Sequence, residues 1–320
     1  MDTRLRTVLL ATDGSPNANS AARVAASLAR ESGAALHVAH IWQITLSSTG
    51  LMSDSAGWDY TFDLDEQVAR DILAEAVADL ARVGVPVAGQ HLRRGRPADE
   101  IPALATAIDA DLIVVGSRGF GQIKRLLIGS TAEAVVHNAH RPILVVRGAT
   151  ADWPPRRIVV GDDASESAAN AVALAATIGG LYKAAGILVH ALAPLPEHLR
   201  LPSPLFSPAL QRTQQTQKPT PQELLDAAIS QAEEVLNNRT LAVTGAFGSR
   251  PAVRVLTGGA AEMLLATAEE KGGATLIVVG SRGLGLLGRL RLGSVSTTIL
   301  HAATGSVLIV PPSDDTADED

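Results

Sequence analysis

The sequence predicts an α/β fold made twice, as two tandem doubly wound parallel sheets covered by helices. Three observations carry that reading. The chain has 320 residues, about twice a common domain length. It repeats itself: DLIVVGSRGFGQIKRLLIGS (111–130) lies over TLIVVGSRGLGLLGRLRLGS (275–294) without a gap, and TVLLATDGSPNANSAARVAASLA (from 7) lies over RIVVGDDASESAANAVALAATI (from 157). Short apolar runs alternate with Ala-rich helical runs, which implies right-handed crossovers and a buried parallel sheet.

The elements of the first copy follow in order. Val8 to Ala11 is a short apolar strand. Ser15 is a good N-cap, Pro16 suits the first helical position, and the Ala-rich helix from Asn17 stops near Gly33. Leu36 to Ile41 reads as strand. Asp65 to Val83 carries Val68, Ile72, Leu73, Val77 and Leu80 at helical spacing and ends at Gly84. Val85 to Leu92 is a poorer strand, with Pro86 placed near its start. A helix from Pro97, a strand Leu112 to Val115, a helix from Ser130 and a strand Ile143 to Val146 complete five strands and four helices. A site in such a unit lies beyond the carboxyl ends of the strands, where strand order reverses.

The second copy keeps the same order, pairing Asp13 with Asp163 and His40 with His190. Residues 1–148 and 155–312 are the expected domains, joined through GATADWPP (148–155), with 313–320 as an acidic tail. A stretch with seven prolines, Pro194 to Pro221, reads as a long surface loop, and Ser47 to Asp63 as its shorter counterpart. The apolar final strands, Ile143 to Val146 and Val307 to Val310, are expected to bring the copies together.

Composition narrows the function. Hydrophobic residues make up 46% of the chain but aromatics only 3%, which suits Val/Ile/Leu/Ala cores and is poor for stacking RNA bases. Net charge is −6, five of the acids lying in the last eight residues, and no basic run is long enough to track a phosphate backbone. Nucleic acid is therefore not an expected partner. With no cysteine, thiolate catalysis and Cys-ligated zinc are excluded. The opening MDTRLRTVLLATDGS reads as neither signal peptide nor membrane span, so a cytoplasmic protein without membrane association is expected.

The chemistry-bearing pattern follows the fourth strand: Gly116, Gly119, Gly129 and Ser130, repeated as Gly280, Gly283, Gly293 and Ser294. Glycines allow a sharp turn and close ligand approach, and successive N–H groups form an anion-binding nest. Ser130 and Ser294 each open a helix, whose free N–H groups favour phosphate. The competing reading is a pair of tight strand-to-helix turns. No G-x4-GK-[ST] occurs and no G-x-G-x-x-G follows the first strand, so neither the P-loop nor the dinucleotide fingerprint applies.

The DGS after the first strand, the LIVVGSRG run and G-x2-G-x9-G-[ST] together resemble the ATP-binding branch of the universal stress protein family. The resemblance covers nearly all of both copies. It implies a Rossmann-like, adenine nucleotide alpha hydrolase-like fold, a stress-response or regulatory role with one nucleotide site per repeat, and ATP as cofactor, with or without Mg2+. It implies that Asp13 stands near the nucleotide, that Ile41 offers backbone to adenine, and that Gly116, Gly119, Gly129 and Ser130 surround ribose and phosphates. The matching places are Asp163, Ala191, Gly280, Gly283, Gly293 and Ser294. Ala164 departs from the pattern where the first copy has Gly14, and puts the second site in doubt. A homodimer and a regulatory protein partner of unknown identity are further expectations.

Other residues invite other chemistry. His137 and His140 are three apart but near a helix end, with no third ligand apparent, and His40 and His190 read as strand-end residues rather than bases. Arg118, Arg282, Lys124, Arg125, Arg289 and Arg291 are candidate phosphate contacts. No nucleophile–base pair stands out, so binding is expected rather than fast catalysis, with slow ATP hydrolysis or phosphoryl transfer as the alternative. Adenylating enzymes of related architecture carry SGG-x-DS after the first strand, where this chain has DGSP.

Overall fold

The structure is a computed structural model. It describes residues 4–43, 55–119, 128–147, 153–193, 220–270, 272–281 and 292–312, without the side chains of 55–64 and 221. The first repeat runs β1 (Thr7–Ala11), α1 (Pro16–Ser32), β2 (Ala35–Trp42), α2 (Ser55–Arg82), β3 (Val87–Arg94), α3 (Pro97–Ala107), β4 (Leu112–Gly116), α4 (Ser130–Asn138) and β5 (Ile143–Val146). The second follows as β6 (Arg157–Gly161), α5 (Glu166–Tyr182), β7 (Ala185–Leu192), α6 (Pro221–Phe247), β8 (Ala252–Thr257), α7 (Ala260–Glu269), β9 (Thr275–Gly280), α8 (Ser294–Ala302) and β10 (Val307–Val310).

Two expectations shift. Helix α2 begins at Ser55, so the end of the stretch expected to be irregular, 47–63, is helical. That segment has no proline, whereas 194–221 has seven, and nothing in its backbone chemistry stops the helix from running back. Strand β3 begins at Val87 rather than Val85, because Pro86 has no N–H for the ladder. The proline-rich residues 194–219 and the tail 313–320 lie outside the described residues.

The local signals act as chemistry requires. The Ser15 side chain accepts from the Ala18 N–H and caps α1, and Ser165 does the same for α5. Thr220 and Glu223 form a reciprocal capping box that starts α6. Gly33 and Gly248 end α1 and α6 in the left-handed region.

All ten strands form one sheet in the order β3-β2-β1-β4-β5-β10-β9-β6-β7-β8. Within each repeat the pairing is parallel, and the two halves meet through antiparallel β5 and β10, with Leu144 opposite Leu308 and Ile143 opposite Ile309. Successive strand residues face opposite sides, giving two cores that each cross the whole molecule. On one side Val8, Leu10, Leu112 and Val114 pack with α1, α2, α5 and α6. On the other Leu9, Ile113, Ile277 and Ile309 pack with α3, α4, α7 and α8. Tyr182 Oη of α5 bonds to Ser27 Oγ of α1 at 2.9 Å, a further tie between the repeats. Among the described residues no helix is long and apolar enough to cross a membrane.

Candidate functional site

In the first repeat the sheet order reverses between β1 and β4, since β2 continues from one side of β1 and β4 from the other. At the carboxyl ends of these strands lies a cleft of about 610 Å3, within the common range for small-molecule sites. Ala11, Ala39, Ile41 and Val115 give it an apolar wall, with Pro97 and Ile101 of α3 alongside. Asp13, Gly116, Arg118, Gly119, Gly129 and Ser130 bring backbone and polar groups to it. The fold thus gathers all six positions singled out in the first copy, Ile41 and Asp13 included, around one opening.

Each piece is held locally. Asp13 Oδ1 accepts the Ser15 N–H at 3.0 Å, and the buried Ser15 hydroxyl donates to the Arg118 carbonyl at 3.3 Å. The start of α1 is thereby tied to the loop after β4. The Gly129 N–H donates to the Ser117 carbonyl at 2.8 Å, which closes that loop across its neck and sets the first turn of α4. His40 Nδ1 donates to the Thr12 carbonyl at 2.8 Å and fixes the end of β1 against β2.

The glycines differ in what they avoid. A Cβ on Gly116 would stand 2.8 Å from the Asn17 carbonyl carbon and 2.9 Å from the Ala18 nitrogen, so this glycine admits α1 close to β4. A Cβ on Gly119 would collide with Asp13 Oδ2, inside the cleft. One on Gly129 would meet Arg118 Cα at 3.3 Å, a milder conflict. The competing reading as turn glycines therefore holds in part for Gly116 and Gly129, while Gly119 is placed against the cleft's own carboxylate.

The second repeat repeats the frame with different chemistry. Gly293 N–H donates to the Ser281 carbonyl at 2.7 Å, matching the first loop's neck. His190 Nδ1 donates to the Asp162 carbonyl at 2.6 Å, and Asp163 Oδ1 accepts the Ser165 N–H at 3.0 Å. Ala191, Gly280 and Ser294 fall at the matching ends of β7, β9 and α8. Gly283, Arg282, Arg289 and Arg291, like Lys124 and Arg125 of the first repeat, lie outside the described residues. Where the first repeat has Thr12, the second has Asp162, whose fully buried carboxylate is paired with Arg239 of α6. Arg239 also donates to the Ser165 carbonyl at 3.0 Å. Ala164 adopts φ 68 where Gly14 has φ 77, so the substitution carries backbone strain.

His137 sits in the last turn of α4, and His140 follows the helix. Sequence reasoning did not find two other residues at the first cleft, Glu133 and His301. Glu133 lies in the first turn of α4, and His301 belongs to α8 of the second repeat. The imidazole Nε2 meets Glu133 Oε1 at 3.1 Å. The usable signal was the expected meeting of the two final strands, which brings α4 and α8 together.

Comparison with known proteins agrees with the duplication. A model of the universal stress protein family matches residues 4–147 and again 155–311. A universal stress protein of Thermus aquaticus is 37% identical over 142 residues, 44% of this chain and 98% of its own. One from Mycobacterium bovis is 27% identical over 308 residues, 94% of this chain and 96% of its own. The crystal structure of a universal stress protein from Archaeoglobus fulgidus shares the fold, with a TM-score of 0.64 at 20% identity, covering 98% of this chain and 100% of that one.

Proposed function

This chain belongs to the universal stress protein family, and on that premise we propose that it is a nucleotide-binding regulatory protein whose first repeat takes ATP as ligand or switch. The observation that carries the reading is the first cleft, placed at the reversal of strand order, with an apolar wall at one end and the start of α4 at the other. A base suits the wall of Ala39, Ile41 and Val115. A phosphate chain suits the loop from Gly116 to Ser130, where N–H groups, a helix start and Arg118 offer donors and positive charge. A magnesium ion can accompany the phosphates. Residues 1–148 and 155–312 then act as two domains of one design, each with a nucleotide position. The second, with Asp162 and Ala164 in place of Thr12 and Gly14, is the weaker of the two.

Calorimetry on nucleotide-free protein tests this. The wild type is expected to bind up to two ATP per chain. Gly119→Glu puts a side chain into Asp13 and a negative charge beside the phosphates, where like charges about 4 Å apart repel by ~1 kcal/mol even in water and more in a cleft. Its stoichiometry should fall by one with the circular dichroism spectrum unchanged, and Gly283→Glu should remove the other site. Unchanged stoichiometry and affinity in both variants would show that the loops are turns and nothing more.

A further inference from the structure

The first cleft is not built from the first repeat alone. His301, on α8 of the second repeat, lines it together with Glu133, Gly129 and Ser130. Resting on the nucleotide reading above, we propose that His301 is a ligand-contacting residue of the first repeat's site, donating an N–H to the phosphate chain of a bound nucleoside triphosphate.

Its position is fixed from both sides. Arg147, at the end of β5, is only 7% exposed. Its guanidinium donates to the carbonyls of Leu300 and Ala303, the latter at 2.9 Å, and so clamps the turn that carries His301. The Arg147 N–H also donates to Ser306 Oγ at 3.2 Å, joining β5 to the chain just before β10. Arg147 is thus a positioning residue. A guanidinium on the last carbonyls of a helix is favourable there, because those carbonyls lack partners within the helix.

The ring's own environment suits a movable donor. His301 Nε2 bonds to a single carboxylate oxygen, Glu133 Oε1, and the ring and carboxylate are each about one-third exposed, at 36% and 35%. Glu133 stands in the first turn of α4, one turn or less from the N–H groups at Gly129 and Ser130 that suit a phosphate. Rotation of the imidazole away from the carboxylate would offer the same N–H to a phosphate oxygen at the start of α4, an anionic acceptor of the same charge-assisted class as the carboxylate it leaves. The carboxylate partner is one-sided, though the histidine is not: His137 stands in α4 where His301 stands in α8, but the second repeat has Thr297 at the place of Glu133, and that hydroxyl donates to the Gly293 carbonyl at 2.9 Å. In this arrangement the first site is complete only while β5 and β10 hold the repeats in register, so nucleotide in repeat one senses the placement of repeat two.

The test uses full-length protein with isotope-labelled histidine, the His301 ring signal being assigned with His301→Gln, and ATP as titrant. The expected result is a His301 signal that moves with ATP in the wild type and stays still in Gly119→Glu. His301→Ala should weaken the first site about tenfold, the scale of one hydrogen bond to a charged group at a part-exposed position. His301→Gln, which keeps an N–H donor, should recover most of that loss. ATP binding that Gly119→Glu abolishes, with an unmoved His301 signal, overturns this proposal and leaves the nucleotide reading standing. A signal that moves equally in Gly119→Glu also overturns it, because it then reports the second repeat. No ATP binding at all overturns the nucleotide reading and this proposal with it.

Discussion

At the scale of single residues, the two copies form an internal comparison. Gly14 and Ala164 occupy the same turn with φ 77 and φ 68, a region that costs an ordinary L-residue about 1–2 kcal/mol. Relieving it with Ala164→Gly should stabilise the protein by up to about 1 kcal/mol, offset in part by the greater freedom of glycine in the unfolded chain. The reverse change, Gly14→Ala, adds a Cβ 3.1 Å from Ile72 Cγ2 and should cost about 1–2 kcal/mol. Urea unfolding of both variants checks the opposite signs; a loss of stability in Ala164→Gly would contradict the account. The glycine spacing and the aspartate after β1 could be read directly from the sequence, because those residues act through local geometry. The reasons behind them could not. That Gly116 admits α1 and Gly119 abuts Asp13 depends on neighbours about a hundred positions away, and the sequence order alone does not place them.

At the scale of elements, the legible features were those with a periodic or capping signal. Ser15, Pro16 and Gly33 bound α1 as their chemistry requires. The start of α2 was harder, because no proline marks it and the Ser-, Asp- and Gly-containing run before Asp65 also suits a loop. The β2–β3 pair carries a feature that no motif announces: His37 Nδ1 and His91 Nε2 lie 2.9 Å apart in stacked rings. Burial holds His37 below its ordinary value of 6.5. Burial does the same for His91, helped by the charges of His37 and Arg93. The folded state therefore binds fewer protons than the unfolded chain in this range. The resulting stability is complete above about pH 6.5 and is lost as pH falls from there through the folded values. His91→Gln should flatten that decline. Comparing urea midpoints at about pH 7.5 and about pH 5.5 in wild type and variant measures it, and an equal drop in both would mean that the pair does not set the slope.

At the scale of the whole molecule, one sheet and two continuous cores make the repeats a single body rather than beads on a linker. The apolar final strands foretold their meeting, since an unpaired edge of Ile143–Val146 would expose a row of backbone groups. Their antiparallel register, the Arg147 clamp and the reach of His301 into the other repeat emerge only once the two halves are set against each other. The second repeat, with its buried Asp162–Arg239 pair, shows that duplication of a frame does not duplicate its chemistry. Crystals of the full chain grown with saturating ATP would show whether the first cleft takes the nucleotide. Density is expected for the base against Ile41 and Ala39, with the phosphates at Gly129 and Ser130 at the start of α4. An empty first cleft, or nucleotide bound only elsewhere on the molecule, would contradict the ATP reading.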